Sequence, residues 1–186
     1  RSGAQRAQLL EAHEEWTEAE AMKIAQALAL APDLREMLAV AARLHDEGKK
    51  APRWQQAFNA PNGGDPPYGK TVGRPRVALL EGYRHELGSL PHAEAHPRVS
   101  SLEASLRELC LHVIAAHHGG ARPVLRTSGA PEPPIRLEAR AREIALRFAS
   151  LSERWGPWGL AWWEALLRAA DQRASRRNDL EGGSDG

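Results

Sequence analysis

The chain has one cysteine, no apolar run long enough to cross a membrane and almost no alternating strand pattern. Each shortage removes a class of explanation. A single thiol, Cys110, excludes both a disulfide framework and a cysteine-based zinc site. Lying in an apolar helical stretch, it reads as a small core residue. With no membrane-spanning segment and no signal-peptide pattern at the start, the expectation is a cytoplasmic protein with no membrane partner. Its 186 residues suffice for one domain with a real core and are too few for two sizeable ones. A start methionine is also missing: the chain opens Arg1-Ser2-Gly3, which suggests a domain excised from something larger. Formal net charge is only +1, yet it is unevenly spread. Glutamates crowd residues 11 to 20, while arginines gather between Arg122 and Arg147 and again between Arg168 and Arg177. Such clustering suits a phosphate backbone, although solvated helix faces give the same pattern.

Helical signals are what remains. The stretch 5–30 places Leu10, His13, Thr17, Ala21, Ile24 and Leu28 on one face. After Pro32, Asp33 is positioned to cap a second helix through Met37, Val40, Ala41 and Leu44, which Gly48 ends or bends. A short helix over 51–59 turns Trp54 and Phe58 inward, and a Pro/Gly-rich loop fills 60–76. Further helices are expected over 77–90, 100–118, 137–153 and 158–177, with a second Pro-rich loop over 122–134. The fold class is all-α: a helical bundle with long Pro/Gly-rich loops.

Against that frame, certain polar residues fall where the apolar stripe should continue. They are His13, the adjacent pair His45 and Asp46, His85, the adjacent pair His117 and His118, and Asp171. Any one of them has an ordinary explanation as a satisfied core residue. Together they do not, because neighbouring buried imidazoles and carboxylates rarely find separate protein partners. Divalent ions supply that partner, since imidazole and carboxylate suit first-row metals. A two-metal centre needs a bridging carboxylate, for which Asp46 is the natural choice. His13, His45 and Asp171 could complete one metal site, and His85, His117 and His118 the other. Lys49, one turn beyond, could stabilise a phosphate's charge as a second catalytic residue beside Asp46.

The set His45-Asp46-Glu47-Gly48-Lys49, Trp54-Gln55 with Phe58, Arg84-His85-Glu86, Ala116-His117-His118-Gly119 and Ala170-Asp171 with Ala174-Ser175 resembles a known family. It is similar to the HD superfamily of metal-dependent phosphohydrolases. More narrowly, it resembles the HD nuclease domain of the CRISPR-associated helicase–nuclease of type I interference. That resemblance spans His13 to about Ser175 and implies a compact HD-domain bundle over 1–178, followed by a flexible acidic tail over 179–186. It implies hydrolysis of phosphodiester bonds in single-stranded DNA, in antiviral defence. It further implies metal roles for His13, His45, Asp46, His85, His117, His118 and Asp171, with two divalent ions drawn from Mn, Ni, Co, Fe or Mg. The implied partners are single-stranded DNA, a helicase domain or subunit, and a CRISPR effector complex. The alternative is an HD-type phosphohydrolase acting on small nucleotides.

Several patterns are decoys. The run Gly64-Asp65-Pro66-Pro67-Tyr68-Gly69-Lys70-Thr71 satisfies a P-loop spelling, but its prolines remove N–H donors and no strand-to-helix context surrounds it. Lys70 and Arg74 are left as loop cations within reach of DNA. His92 and His96, bracketed by Pro91 and Pro97, read as a solvated turn, and His112 reads as a surface or ordinary packing residue. Trp155, Trp158, Trp162 and Trp163 read as a domain interface, facing a helicase or an effector complex, rather than as base-stacking residues.

Overall fold

A computed structural model describes residues 4–119 and 134–181. Seven α-helices dominate it: α1 (Leu10–Ala27), α2 (Pro32–Leu44), α3 (Pro52–Ala57), α4 (His85–Glu94), α5 (Pro97–Ser100), α6 (Ala104–Ala116) and α7 (Pro134–Glu181). The all-α expectation holds. The addition is one small antiparallel ribbon, β1 (Gln8–Leu9) against β2 (Tyr68–Lys70), with Gln8 opposite Lys70. The second Pro-rich loop and the end of the acidic tail lie outside the described residues, whereas positions 179–181 continue α7 as helix.

Helix α2 is the axis of the core. Met37, Leu38, Val40, Ala41 and Ala42 are all fully buried, because α1, α6 and α7 pack around it. Along 100–118, Leu102 just ahead of α6 and Leu106, Leu109, Val113 and Ala116 within it are buried as well. Small residues let these helices approach closely, and burying each large aliphatic side chain contributes about 1.5–3 kcal/mol. On α1 the inward face is His13, Thr17, Ala21 and Ile24, while Leu28 lies beyond the helix end and is exposed.

Helix ends depart from the expected ones for local reasons. Helix α2 starts at Pro32, whose missing N–H costs nothing in the first turn. Asp33 therefore sits inside that turn and accepts from the Leu34 N–H at 2.9 Å. The helix expected over 77–90 divides into a 3-10 turn, Val77–Leu80, and α4. Its separator is Glu81-Gly82, where both φ angles are positive. Helix α4 then runs through Pro91, so His92 is helical and not part of a turn. His96 caps α5 instead, its Nδ1 accepting from the Arg98 N–H at 3.2 Å. The two expected last helices are the halves of α7, broken at Gly156, where φ is 68° and ψ 163°.

Gly48 does not end α2, which stops at Leu44. It lies in a 3-10 turn, Glu47–Lys50, pressed under the start of α4. A Cβ there would stand 2.0 Å from the His85 carbonyl oxygen and 2.8 Å from the Ser89 nitrogen. Only glycine lets these backbones meet, and their meeting sets His85 beside Asp46.

Candidate metal centre

Two helix C-termini are built alike. His45 follows the last residue of α2 and His117 the last residue of α6, both in right-handed helical conformation. Each turns Nδ1 back onto the carbonyl three residues earlier, His45 onto Ala42 at 2.8 Å and His117 onto Ile114 at 2.7 Å. A carbonyl oxygen can only accept, so each Nδ1 donates. The neutral ring then presents the Nε2 lone pair outward, as metal-ligating histidines do.

Those Nε2 atoms converge on Asp46, which is 2 % exposed. Its Oδ2 lies 3.3 Å from His45 Nε2 and 3.4 Å from His13 Nε2. Its Oδ1 lies 3.2 Å from His85 Nε2 and 3.8 Å from His117 Nε2. Beyond the first oxygen, Asp171 Oδ1 stands 3.1 Å from His13 Nε2; beyond the second, His118 Nε2 stands 3.1 Å from His85 Nε2. One carboxylate thus faces two imidazole groups, one with each oxygen. Every residue proposed from sequence as a ligand lies in this assembly, supplied by α1, the ends of α2 and α6, the start of α4 and the second half of α7.

Electrostatics fit a cation site. Burial would raise the Asp46 carboxyl, but His45, Lys49 and His13 outweigh it and hold the acid well below its usual range. Asp171 is likewise raised by burial and lowered further by His13, Lys70 and His45. Burial, with His45 and His118 adjacent, keeps the His117 imidazole neutral. His118 is pushed down to about 4 by burial and by His85. His45 is the exception: burial depresses it, yet Asp46 beside it raises it overall.

A divalent ion fits these residues on direct grounds. His13 Nε2, His45 Nε2 and His117 Nε2 are buried and make no hydrogen bond. Leaving such groups unsatisfied costs about 1–3 kcal/mol each. Two sets, His13-His45-Asp46 and His85-His117-His118, each bring ligand atoms within 4.8 Å of one another. Among the described residues these two groups have the spacing for an ion.

Supporting residues complete the site. Lys49 Nζ contacts Asp46 Oδ2 at 2.5 Å and Gly69 O at 3.1 Å. Ser175 Oγ donates to Asp171 Oδ1 at 3.2 Å. Two residues that sequence reasoning did not assign a role organise the backbone. Ser89 Oγ accepts from the Gly48 N–H at 2.8 Å and lies 2.7 Å from the His45 carbonyl and 2.9 Å from the His85 carbonyl. Buried Gln55 donates to Lys49 O at 2.7 Å and Tyr68 O at 3.0 Å, and accepts from the Tyr68 N–H. The clue to Ser89 was its position one helical turn past His85; Gln55 had been noted only as part of a motif.

The P-loop spelling carries no cradle: Tyr68–Lys70 is a strand, and a helix does not follow it. Lys70 is not on a loose loop either, since β2 holds its Nζ 3.4 Å from Asp171 Oδ1. His112 is buried and stands 3.1 Å from Glu164 on α7, in keeping with packing. Trp163 is in the core and Trp155 packs against it, whereas Trp158 and Trp162 are exposed.

A helical bundle whose carboxylate is ringed by imidazoles from successive helices defines a metal-dependent hydrolase of the HD type. A family model described as Cas3, HD domain matches residues 4–181, and the chain belongs to that family. It is therefore a metal-dependent HD nuclease domain of a CRISPR system, acting on nucleic acid. Comparison with curated proteins and with solved structures gives no match. Among the described residues, no helix is long and apolar enough to cross a membrane.

Proposed function

We propose that this domain cuts single-stranded DNA during CRISPR interference, using two divalent ions that Asp46 would hold together with the histidines around it. The observation that carries this reading is the division of Asp46 between two imidazole groups, one oxygen to each. His13, His45 and Asp171 would complete one ion's ligands, and His85, His117 and His118 the other's. Bound divalent ions supply Lewis acidity toward a phosphodiester and acidify water. The chain's own residues do the rest. Asp46 and Asp171, held ionised, keep the charge that attracts the cations. The helix-end carbonyls of Ala42 and Ile114 fix which imidazole nitrogen faces the centre. Lys49 lines the adjoining cavity and offers a positive charge to the non-bridging phosphate oxygens.

Single strands suit this centre because two of the residues that would hold the ions, His85 and His118, line a cavity beside it. The exposed Trp158 and Trp162 on α7 fit contact with a helicase domain or subunit, or with the effector complex. The deciding assay offers linear single strands, plasmid and nucleoside triphosphates to the metal-loaded protein, with Mn, Ni, Co, Fe or Mg in turn. Strand cleavage that disappears in Asp46→Ala is expected. Turnover of triphosphates with intact polymers would reassign the domain to small nucleotides, and metal analysis of the purified protein counts the ions.

A further inference from the structure

Between α3, β2 and the end of α7 lies a cavity of about 670 Å³ that opens onto the centre at His85 and His118. Its wall changes character with distance from the ligands. Nearest stand the two lysines: Lys49 Nζ on Asp46, and Lys70 Nζ 3.4 Å from Asp171 Oδ1. Next come two aromatic rings, Trp54 and Phe58, stacked nearly parallel with centroids 4.2 Å apart and an interplanar angle of 14°. Lys49 Nζ lies 5.2 Å from the Trp54 ring centre, so cation and stack are continuous. Trp54 is 4 % exposed, while Phe58 is half-buried and lines the cavity.

A core does not require this arrangement. Phe58 keeps its ring partly in water although its neighbour is covered. Lys70 is held on a strand between a carboxylate and the cavity. Gln55 bonds to the backbone beside Lys49 and to Tyr68, two residues before Lys70, and so fixes both lysines relative to one ring stack. One carboxylate, Asp179, also borders the cavity, and it accepts from the Gln5 N–H at 3.2 Å.

Resting on the nuclease reading, we propose that this cavity binds the nucleotide next to the bond to be cut. Phe58 extends the Trp54 stack to one base, and Lys70 takes the phosphate on that nucleotide. A base ring offers the same π-face whatever its identity, so such a subsite holds strands without reading sequence. It also requires an unpaired base, and that selects single strands over duplex.

The test is binding of a fluorescently labelled single-stranded DNA oligonucleotide to the whole chain in chelator, where no cleavage occurs. Phe58→Ala is expected to weaken affinity about five- to hundred-fold, the loss that removal of one base stack produces. Phe58→Leu, which preserves apolar contact with Trp54, weakens it in the same direction, and Phe58→Tyr restores it. On an oligonucleotide lacking bases, parent and Phe58→Leu bind alike. Lys70→Met lowers the slope of log affinity against log salt by about 0.7, and Lys70→Arg restores it. Parental affinity in Phe58→Leu overturns the proposal. So does an equal loss on base-free strands, or an unchanged salt slope in Lys70→Met. The nuclease reading fails separately, if the Mn-loaded parent leaves the same strand uncut.

Discussion

The two halves of the candidate metal centre, His13-His45-Asp46 and His85-His117-His118, are embedded differently. His13, His45 and Asp46 are almost wholly buried in the packing of α1 against α2. His85 and His118 border the cavity, and His118 is exposed. The deep half is thus part of the core, and the shallow half reaches the surface at His118, although His117 within it is buried. On the proposed ligand assignment, residues in the first would carry both folding and ligation, whereas His85 and His118 would be open to substrate. Unsatisfied nitrogen atoms concentrate on the deep side, which makes it the half where a cation relieves the larger cost.

That contrast can be broken in the laboratory. The largest separation is expected between His45→Ala and His118→Ala. Both should lose strand cleavage, but only His45→Ala should also lose about 2 kcal/mol of stability in urea unfolding. Equal unfolding midpoints for the two would erase the distinction. Gly48→Ala comes next, because its methyl would meet the His85 carbonyl at 2.0 Å. About 1–3 kcal/mol of destabilisation is expected from that overpacking. A weaker affinity for metal, read by titration, should accompany it as His85 shifts from Asp46.

Chelation should lower the thermal midpoint modestly while far-ultraviolet circular dichroism keeps its helical shape, since the apolar packing of α2 against α1 and α6 holds the bundle together without a metal. A collapse of the helical spectrum would show that the deep half needs its ions to fold. The smallest effect concerns Cys110. Burial pushes its thiol up to about 12. The thiolate is therefore scarce at every pH below that, and a thiol reagent at pH 8 should label the native chain only at the rate of unfolding. Rapid labelling of folded protein would show that α6 opens locally without global unfolding.

How far the sequence disclosed this centre depends on distance along the chain. His45-Asp46 and His117-His118 announced themselves because adjacent ionisable residues at the end of an apolar helix are a local anomaly. The periodic apolar stripes of α2 and α6 were local too, and both helices lie where the 3.6-residue repeat puts them. Lys70 and Ser89 were not legible in the same way. Lys70 acquires its place from pairing β2 with β1 ahead of α1, a register that no short motif encodes. Ser89 matters because α4 presses on the turn at Gly48, and that closeness is visible only in three dimensions. Gly48 itself shows the limit well: as a helix terminator it looked ordinary, whereas its task is to leave room for a neighbouring backbone.

The carbonyls of Ala42 and Ile114, which orient His45 and His117, belong to the main chain. Every amino acid carries that oxygen, so a replacement at position 42 or 114 that leaves the helix intact also leaves the ring's aim intact. Heredity can vary the side chains behind the centre, provided they fit, without disturbing which nitrogen faces Asp46.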